Sequence, residues 1–323
     1  MQLPLFMRKI TLDKKKKTVL ELCAGGGGQF LGLEAAGFEC VGAVEIEEEY
    51  CRTLNYNRPE LNVINYDLKH FNAKEFLGVD LVAGGVPCPP FSIAGKQLGS
   101  SDDRDLFPYA LKIVKQANPK AVLLENVPGL ASSKFDAYRK SIQQKLNKMG
   151  YWSDWKILNA SDFGVPQLRP RFILAAVKKH LKEAFEWPKP YFKKTTVGEA
   201  LLDLMYENGW KGAPEWSKKA NNVGPTLVGG SKKHGGPDLG PTRAKQQWKN
   251  LGVDGIGIAD SAPGKEFPEN GLPRLTVRMT ARIQGFPDTW CFPGRKTASY
   301  RQIGNAFPPA VAKAVGLQIL KVA

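Results

Sequence analysis

Short apolar runs alternate with helical segments from about residue 18 to residue 177, and this alternation constrains the fold more than any other feature. The runs are Thr18 to Leu22, Cys40 to Val44, Val63 to Tyr66, Leu81 to Ala83 and Ala121 to Leu124, with two more near Trp155 to Leu158 and Phe172 to Val177. Helices are predicted from near Gln29 to Gly37, from Leu106 to Gln116 and from Phe135 to Met149. Apolar runs of this length, separated by helices, predict a parallel, doubly wound α/β sheet. Such sheets keep their ligand crevices at the carboxyl ends of the strands.

The character changes near Lys178. From there to about Pro273 the chain is rich in Gly, Pro, Lys and Trp, with little periodicity. Trp187, Trp210, Trp216 and Trp248 can anchor a small core, so this stretch is expected to be a loop-rich second domain. Order resumes at Leu275, with helices predicted over Val277 to Gln284 and Pro309 to Val322. The expected division is 1–185, completed by 274–323, and 186–273.

The 323 residues carry a formal charge of +15, which favours a polyanionic partner, nucleic acid first. Five cysteines are widely spaced with no CxxC pair, and His70, His180 and His234 are isolated, so no metal site is expected. Reduced cysteines fit a cytoplasmic protein. The first residues lack a signal-peptide core, and no apolar run approaches the ~20 residues a membrane span needs.

The ends of the strands carry the chemistry. Gly25 to Gly28 follow the first strand, where glycine lets a ligand approach the backbone beside a helix N-terminus. Glu45 ends the next strand about 20 residues on, where an acidic group can take ribose hydroxyls. Asp67 ends the third and can accept from an adenine amino group. No phosphate-binding lysine follows the glycines, so adenosine without phosphate fits better than a dinucleotide. Cys88 stands among Pro87, Pro89 and Pro90 after the fourth strand. Stiff prolines around an exposed thiol suggest a nucleophile, and a buried structural cysteine is the alternative. Glu125 ends the fifth strand. Arg169 and Arg171 alternate, which puts both guanidiniums on one side of an extended segment.

Together these pieces closely resemble the DNA cytosine-5 methyltransferases of bacterial restriction-modification type. The matching segments are Glu21-Leu22-Cys23-Ala24-Gly25-Gly26-Gly27-Gly28, Gly85-Val86-Pro87-Cys88, Glu125-Asn126-Val127, Gln167-Leu168-Arg169-Pro170-Arg171, Arg278 to Pro287 and Gly304-Asn305-Ala306. They occur in the family's order and cover the chain outside about 178–273, where the family carries its target-recognition domain. The resemblance implies a Rossmann-like fold, its doubly wound sheet mixed and mostly parallel, that binds S-adenosylmethionine, releases S-adenosylhomocysteine, and needs no metal.

It implies that Cys88 attacks C6 of a cytosine flipped out of duplex DNA, that Glu125 holds the ring at N3 and the amine, and that Arg169 and Arg171 contact O2, Glu125 and nearby phosphate. The cofactor is expected against Cys23, Ala24, Gly25, Gly26, Gly28, Glu45, Ile46, Asp67, Leu68, Pro87, Leu106, Asn305 and Ala306. DNA contacts are expected from Ser92 and Gln97, in a lid spanning Ser92 to Ser101, and from Thr226, Ser231, Lys232, Lys233, His234 and Arg243. The chain departs from the family at Cys23, where Phe is common, at Ile46, and at Pro89, where Gln is common. A monomer acting in the bacterial or phage-infected cytoplasm at the nucleoid, paired with a restriction endonuclease, is the implied setting. The rival readings are an RNA (tRNA) cytosine-5 methyltransferase on the same scaffold and a catalytically inactive DNA-binding homologue. The long basic insert favours a duplex, and intact Cys88, Glu125 and Arg169 favour activity.

Overall fold

The computed structural model describes residues 16–87, 105–191, 193–230, 236 and 238–323. Among these, seven strands form one sheet: β1 (Lys17–Leu22), β2 (Phe38–Glu45), β3 (Val63–Asn65), β4 (Leu81–Gly85), β5 (Ala121–Asn126), β6 (Tyr151–Asn159) and β7 (Pro170–Lys178). Their order across the sheet is β3-β2-β1-β4-β5-β7-β6. The first five run parallel, and β7 pairs antiparallel with both β5 and β6. The sheet is therefore mixed and mostly parallel, as the resemblance implied, where alternation alone predicted a parallel one.

Ten helices accompany it: α1 (Gly28–Ala36), α2 (Glu48–Asn57), α3 (Phe107–Ala117), α4 (Asp136–Lys148), α5 (Val197–Tyr206), α6 (Ala213–Lys219), α7 (Thr242–Asn250), α8 (Val277–Ile283), α9 (Lys296–Asn305) and α10 (Pro309–Leu320). Leu20, Leu22, Val122 and Leu124 face α3 and α4, while Val19, Leu81, Ala121 and Leu123 face α1 and α10. Burial on both faces is why the central strands read as continuous apolar runs rather than alternating ones. None of the described helices is long and apolar enough to cross a membrane.

A third apolar cluster gathers Trp210, Trp216 and Trp248 with α5, and shares Met279, Ile283 and Tyr300 with the C-terminal segment. Trp187 does not join it. Its indole Nε1–H donates to Asp154 on β6 at 2.8 Å, and its ring meets Phe185 edge-on at 5.4 Å, so it packs on the large sheet. The segment is also more helical than its composition suggested. Thr196 and Glu199 cap α5 reciprocally, each side chain accepting the other's backbone N–H.

Candidate functional site

The chain leaves β1 in left-handed backbone, with φ of 52° at Cys23, 57° at Gly25 and 90° at Gly27. Gly28 is required by space: a Cβ there would lie 2.2 Å from the Phe307 carbonyl oxygen. Two long-range bonds hold the loop. Trp290 Nε1–H donates to the Gly26 carbonyl at 3.0 Å, and Gly25 N–H donates to Glu45 Oε2 at 2.7 Å. The other Glu45 oxygen accepts Glu47 N–H at 2.9 Å. Burial pushes the Glu45 carboxyl pKa up, and these amides pull it back.

This loop lines a cavity of about 80 Å³ together with Glu21, Gln29, Tyr50, Gly85, Glu125, Gln302, Asn305, Ala306 and Phe307. The Glu21 carboxyl and the Gln29 and Gln302 amides are buried there without a well-formed hydrogen bond. Burial raises the Glu21 pKa to about 8, against the Phe30 amide and with a further push from Glu45. Unpartnered buried polar groups are costly, so a polar ligand in this cleft relieves them.

The ends of β4 and β5 meet beside the cavity. Glu125 Oε1 lies 2.6 Å from Arg171 Nε. Burial pushes the Glu125 carboxyl pKa up, and Arg171 and then Arg169 pull it down, the net direction being upward. Asn126 Nδ2–H donates to the Val86 carbonyl at 2.8 Å, and Leu106 N–H to the Pro87 carbonyl at 3.1 Å. Those two carbonyls immediately precede Cys88 in the chain. Cys88 itself, Ser92, Gln97, the proposed lid, Ser231, Lys232, Lys233 and His234 lie outside the described residues.

Residues 17–321 match the family model of the C-5 cytosine-specific DNA methylases. The chain belongs to that family. This cytosine-5 DNA methyltransferase is 54% identical to the Type II methyltransferase M.NaeI of Lentzea aerocolonigenes over 93% of its own length and 74% of the relative's. It is 53% identical to M.NgoMIV of Neisseria gonorrhoeae, over 94% and 97%. Among solved structures it resembles an E. coli prophage-encoded protein described as a DNA modification methyltransferase, at a TM-score of 0.66 and 26% identity, covering 95% of this chain and 99% of that one.

In the methyltransferase, Cys23, Ala24, Gly25, Gly26, Gly28, Asn305 and Ala306 come together in the one cavity. The remaining cofactor candidates, Glu45, Ile46, Asp67, Leu68, Pro87 and Leu106, do not line it. Asp67 Oδ1 accepts Lys69 N–H at 2.9 Å, and Ile46 is exposed. Leu68 turns its side chain into the core, which leaves only its backbone for a ligand. The half-buried Cys23 thiol has its pKa pushed up by desolvation and by the nearby Glu45 and Asp67 carboxyls, which disfavours the thiolate.

Arg169 is placed otherwise than the family pattern led us to expect. It is 1% exposed, and its terminal nitrogens donate to the carbonyls of Leu227 at 2.7 Å, Gly304 at 2.6 Å and Ala306 at 3.0 Å. A guanidinium engaged in this way has no accessible surface to offer a base. Among the described residues, Arg171 holds the ion pair with Glu125. Thr226 is half-buried, its hydroxyl bonded to the Leu168 carbonyl, and Arg243 is exposed on α7. Glu21, Gln29, Gln302, Asn126 and Trp290 were not singled out as site residues from sequence. Of these, Asn126 had a readable signal, its place beside Glu125 at a strand end.

Proposed function

We propose that the chain transfers a methyl group from S-adenosylmethionine to C5 of a cytosine flipped out of a specific duplex DNA site. The observation that carries this reading is the largely buried Glu125–Arg171 pair, whose carboxyl lines the same cavity as the glycine loop. The family supplies the reaction class, and the residues present fit its cofactor. Three buried polar side chains without a well-formed hydrogen bond face the cavity, and Gly28 keeps it free of a Cβ.

Glu45 would hold the ribose and Asp67 the adenine. The glycine loop, Asn305 and Ala306 would enclose the remainder. Bound there, S-adenosylmethionine supplies an electrophilic methyl group. The Cys88 thiolate adds to C6, and the bond pair it displaces makes C5 nucleophilic. Glu125, its carboxyl pKa pushed up by burial, would take up a proton, donate to N3 and stabilise that charge. Arg171 fixes the Glu125 carboxyl in place. After methyl transfer a base removes the C5 proton, and the returning electron pair expels Cys88.

Residues 186–273 would read the DNA sequence, with the catalytic unit built from 1–185 and 274–323. The relatives' description as Type II methyltransferases supports a role beside a restriction endonuclease; the reading adds that the chain acts as a monomer, in the cytoplasm at the nucleoid. The test is to express the chain in cells lacking cytosine-5 methylation and sequence their DNA by a method that detects 5-methylcytosine. A single short motif methylated throughout is expected. Methylated transfer RNA with unmodified DNA would overturn the choice of substrate.

A further inference from the structure

We infer that Arg169 is a positioning residue for the DNA-reading segment and does not contact the cytosine. The inference rests on reading residues 186–273 as that segment. Three stretches distant in sequence meet around its guanidinium. One is 166–169, which leads into β7; another is 224–230 of the insert; the third is 283–306 of the C-terminal segment.

Arg169 joins Leu227 of the insert to Gly304 and Ala306 at the end of α9. Beside it, Leu227 N–H donates to Gln167 Oε1 at 2.7 Å. Gln167 Nε2–H donates to Gln284 Oε1 at 2.7 Å, and Gln284 Nε2–H to the Ala306 carbonyl at 2.5 Å. The far side is closed as well: Asn305 Nδ2–H donates to the Gly230 carbonyl at 3.1 Å, and a Cβ on Gly304 would lie 2.4 Å from Gly229 N. Gly224 exchanges backbone bonds with Pro166 and Leu168.

A planar guanidinium can reach carbonyls on two segments at once, which a single ammonium point cannot. Among the described residues, Arg169 has no carboxylate within ion-pair distance, so backbone carbonyls absorb its charge. Arg171, two residues on, takes the carboxylate instead. The two arginines of the motif thus divide the work. One orients the acid at the cytosine, and the other sets the height of Thr226 to Gly230 against Asn305 and Ala306. Register on DNA depends on that height, because base edges are read only when the reading segment sits correctly in the groove.

The test uses the full chain with Arg169→Lys. Cofactor binding, binding to cognate and single-mismatch duplexes, and turnover at saturating duplex are each measured. The cognate Kd should rise about tenfold or more and the cognate-to-mismatch ratio should shrink, while cofactor Kd and saturating kcat stay within about threefold. Should Arg169→Lys fold poorly, Thr226→Val removes a more exposed bond of the same clasp and should shift the duplex Kd in the same direction by about threefold. A fall in kcat of about 100-fold with unchanged duplex binding would place Arg169 on the reacting base and overturn the inference. Loss of thermal stability with an intact mismatch ratio would make it merely structural and overturn it equally. Transplanting residues 188–273 into a related enzyme of known target separates the two levels. If the chimera keeps its old target, the underlying reading fails. If it takes the new target while Arg169→Lys leaves discrimination intact, only the inference fails.

Discussion

Nε of Arg171 lies 2.6 Å from Oε1 of Glu125, and the two side chains are only 10% and 12% exposed. Removing one member of a sealed ion pair strands the other, so both positions should be intolerant. Glu125→Gln removes the acid that protonates N3 and should lower kcat by about 100-fold or more, with cofactor binding retained. Burial raises the Glu125 pKa, so the working protonated form persists above the usual carboxyl range and is lost as pH rises through the folded value. A kcat–pH profile should fall on that alkaline side in the wild type and lack this limb in the residual activity of Glu125→Gln.

Cys88→Ser should abolish methylation and spare cofactor binding, because a hydroxyl is a far poorer nucleophile than a thiolate. Wild-type protein should form a stable adduct with duplex containing 5-fluorocytosine, since fluorine cannot leave C5 as a proton does. Near-normal turnover by the serine variant would falsify covalent catalysis.

Glu45→Ala and Asp67→Ala should both weaken the cofactor. Each deletes charge-assisted hydrogen bonds worth about 1.5–3 kcal/mol, equivalent to roughly one to two orders of magnitude in Kd. The loss at Glu45 should be the larger, because that carboxylate also anchors the Gly25 amide. Calorimetry with S-adenosylhomocysteine reads both, and unchanged binding in the pair would mean that the cofactor lies elsewhere.

Glu21→Gln should change how stability depends on pH. The folded pKa of Glu21 is about 8, above the ordinary value of 4.5. The folded state therefore holds a proton that the unfolded chain has released. Its contribution is fully present below the unfolded value and is lost as pH rises through the folded one, at up to about 1.4 kcal/mol per pH unit in between. Urea midpoints should decline from pH 5 to pH 8 in the wild type and decline less in Glu21→Gln. Parallel slopes would show that Glu21 is ionised in the folded protein.

Gly28→Ala tests the tightest approach in the cleft. The added methyl must displace the Phe307 carbonyl or α1, at about 1–3 kcal/mol. Cofactor affinity should fall together with Tm, whereas Gly78→Ala, at a distant glycine, should leave the cofactor untouched.

Much of the scaffold was legible because β1, β4 and β5 are buried on both faces and so read as apolar runs. The glycine loop and Glu45 were legible for a related reason, each ending a strand at the crevice edge. α2 and α9 were not. α2 buries only Cys51, Thr53 and Leu54, and α9 buries Ser299, Gln302 and Gly304 beside Tyr300 and Ile303, so neither shows an apolar stripe. α5 was passed over although Thr196 and Glu199 spell out its capping box. Trp187 and Trp210 look alike in sequence and part company only through their neighbours, Phe185 for one and Phe267 for the other. Alternation put Arg169 and Arg171 on one side of an extended segment. It could not show which partner each meets, because those of Arg169 lie 58, 135 and 137 residues downstream.

The bond from Trp290 to the Gly26 carbonyl spans 264 positions. At ribosomal speeds of about 5–20 residues per second, the loop waits roughly 13 to 53 seconds for its clamp to be made. Throughout that interval the nascent chain can assemble strands but cannot complete the cleft. The face of α1 that α10 will cover, with Leu33 and Ala36, stays open to proteases and chaperones. A message broken before the codon for Trp290 encodes neither this clamp nor α10, so the glycine loop of its product stays unclamped and the apolar face of α1 uncovered.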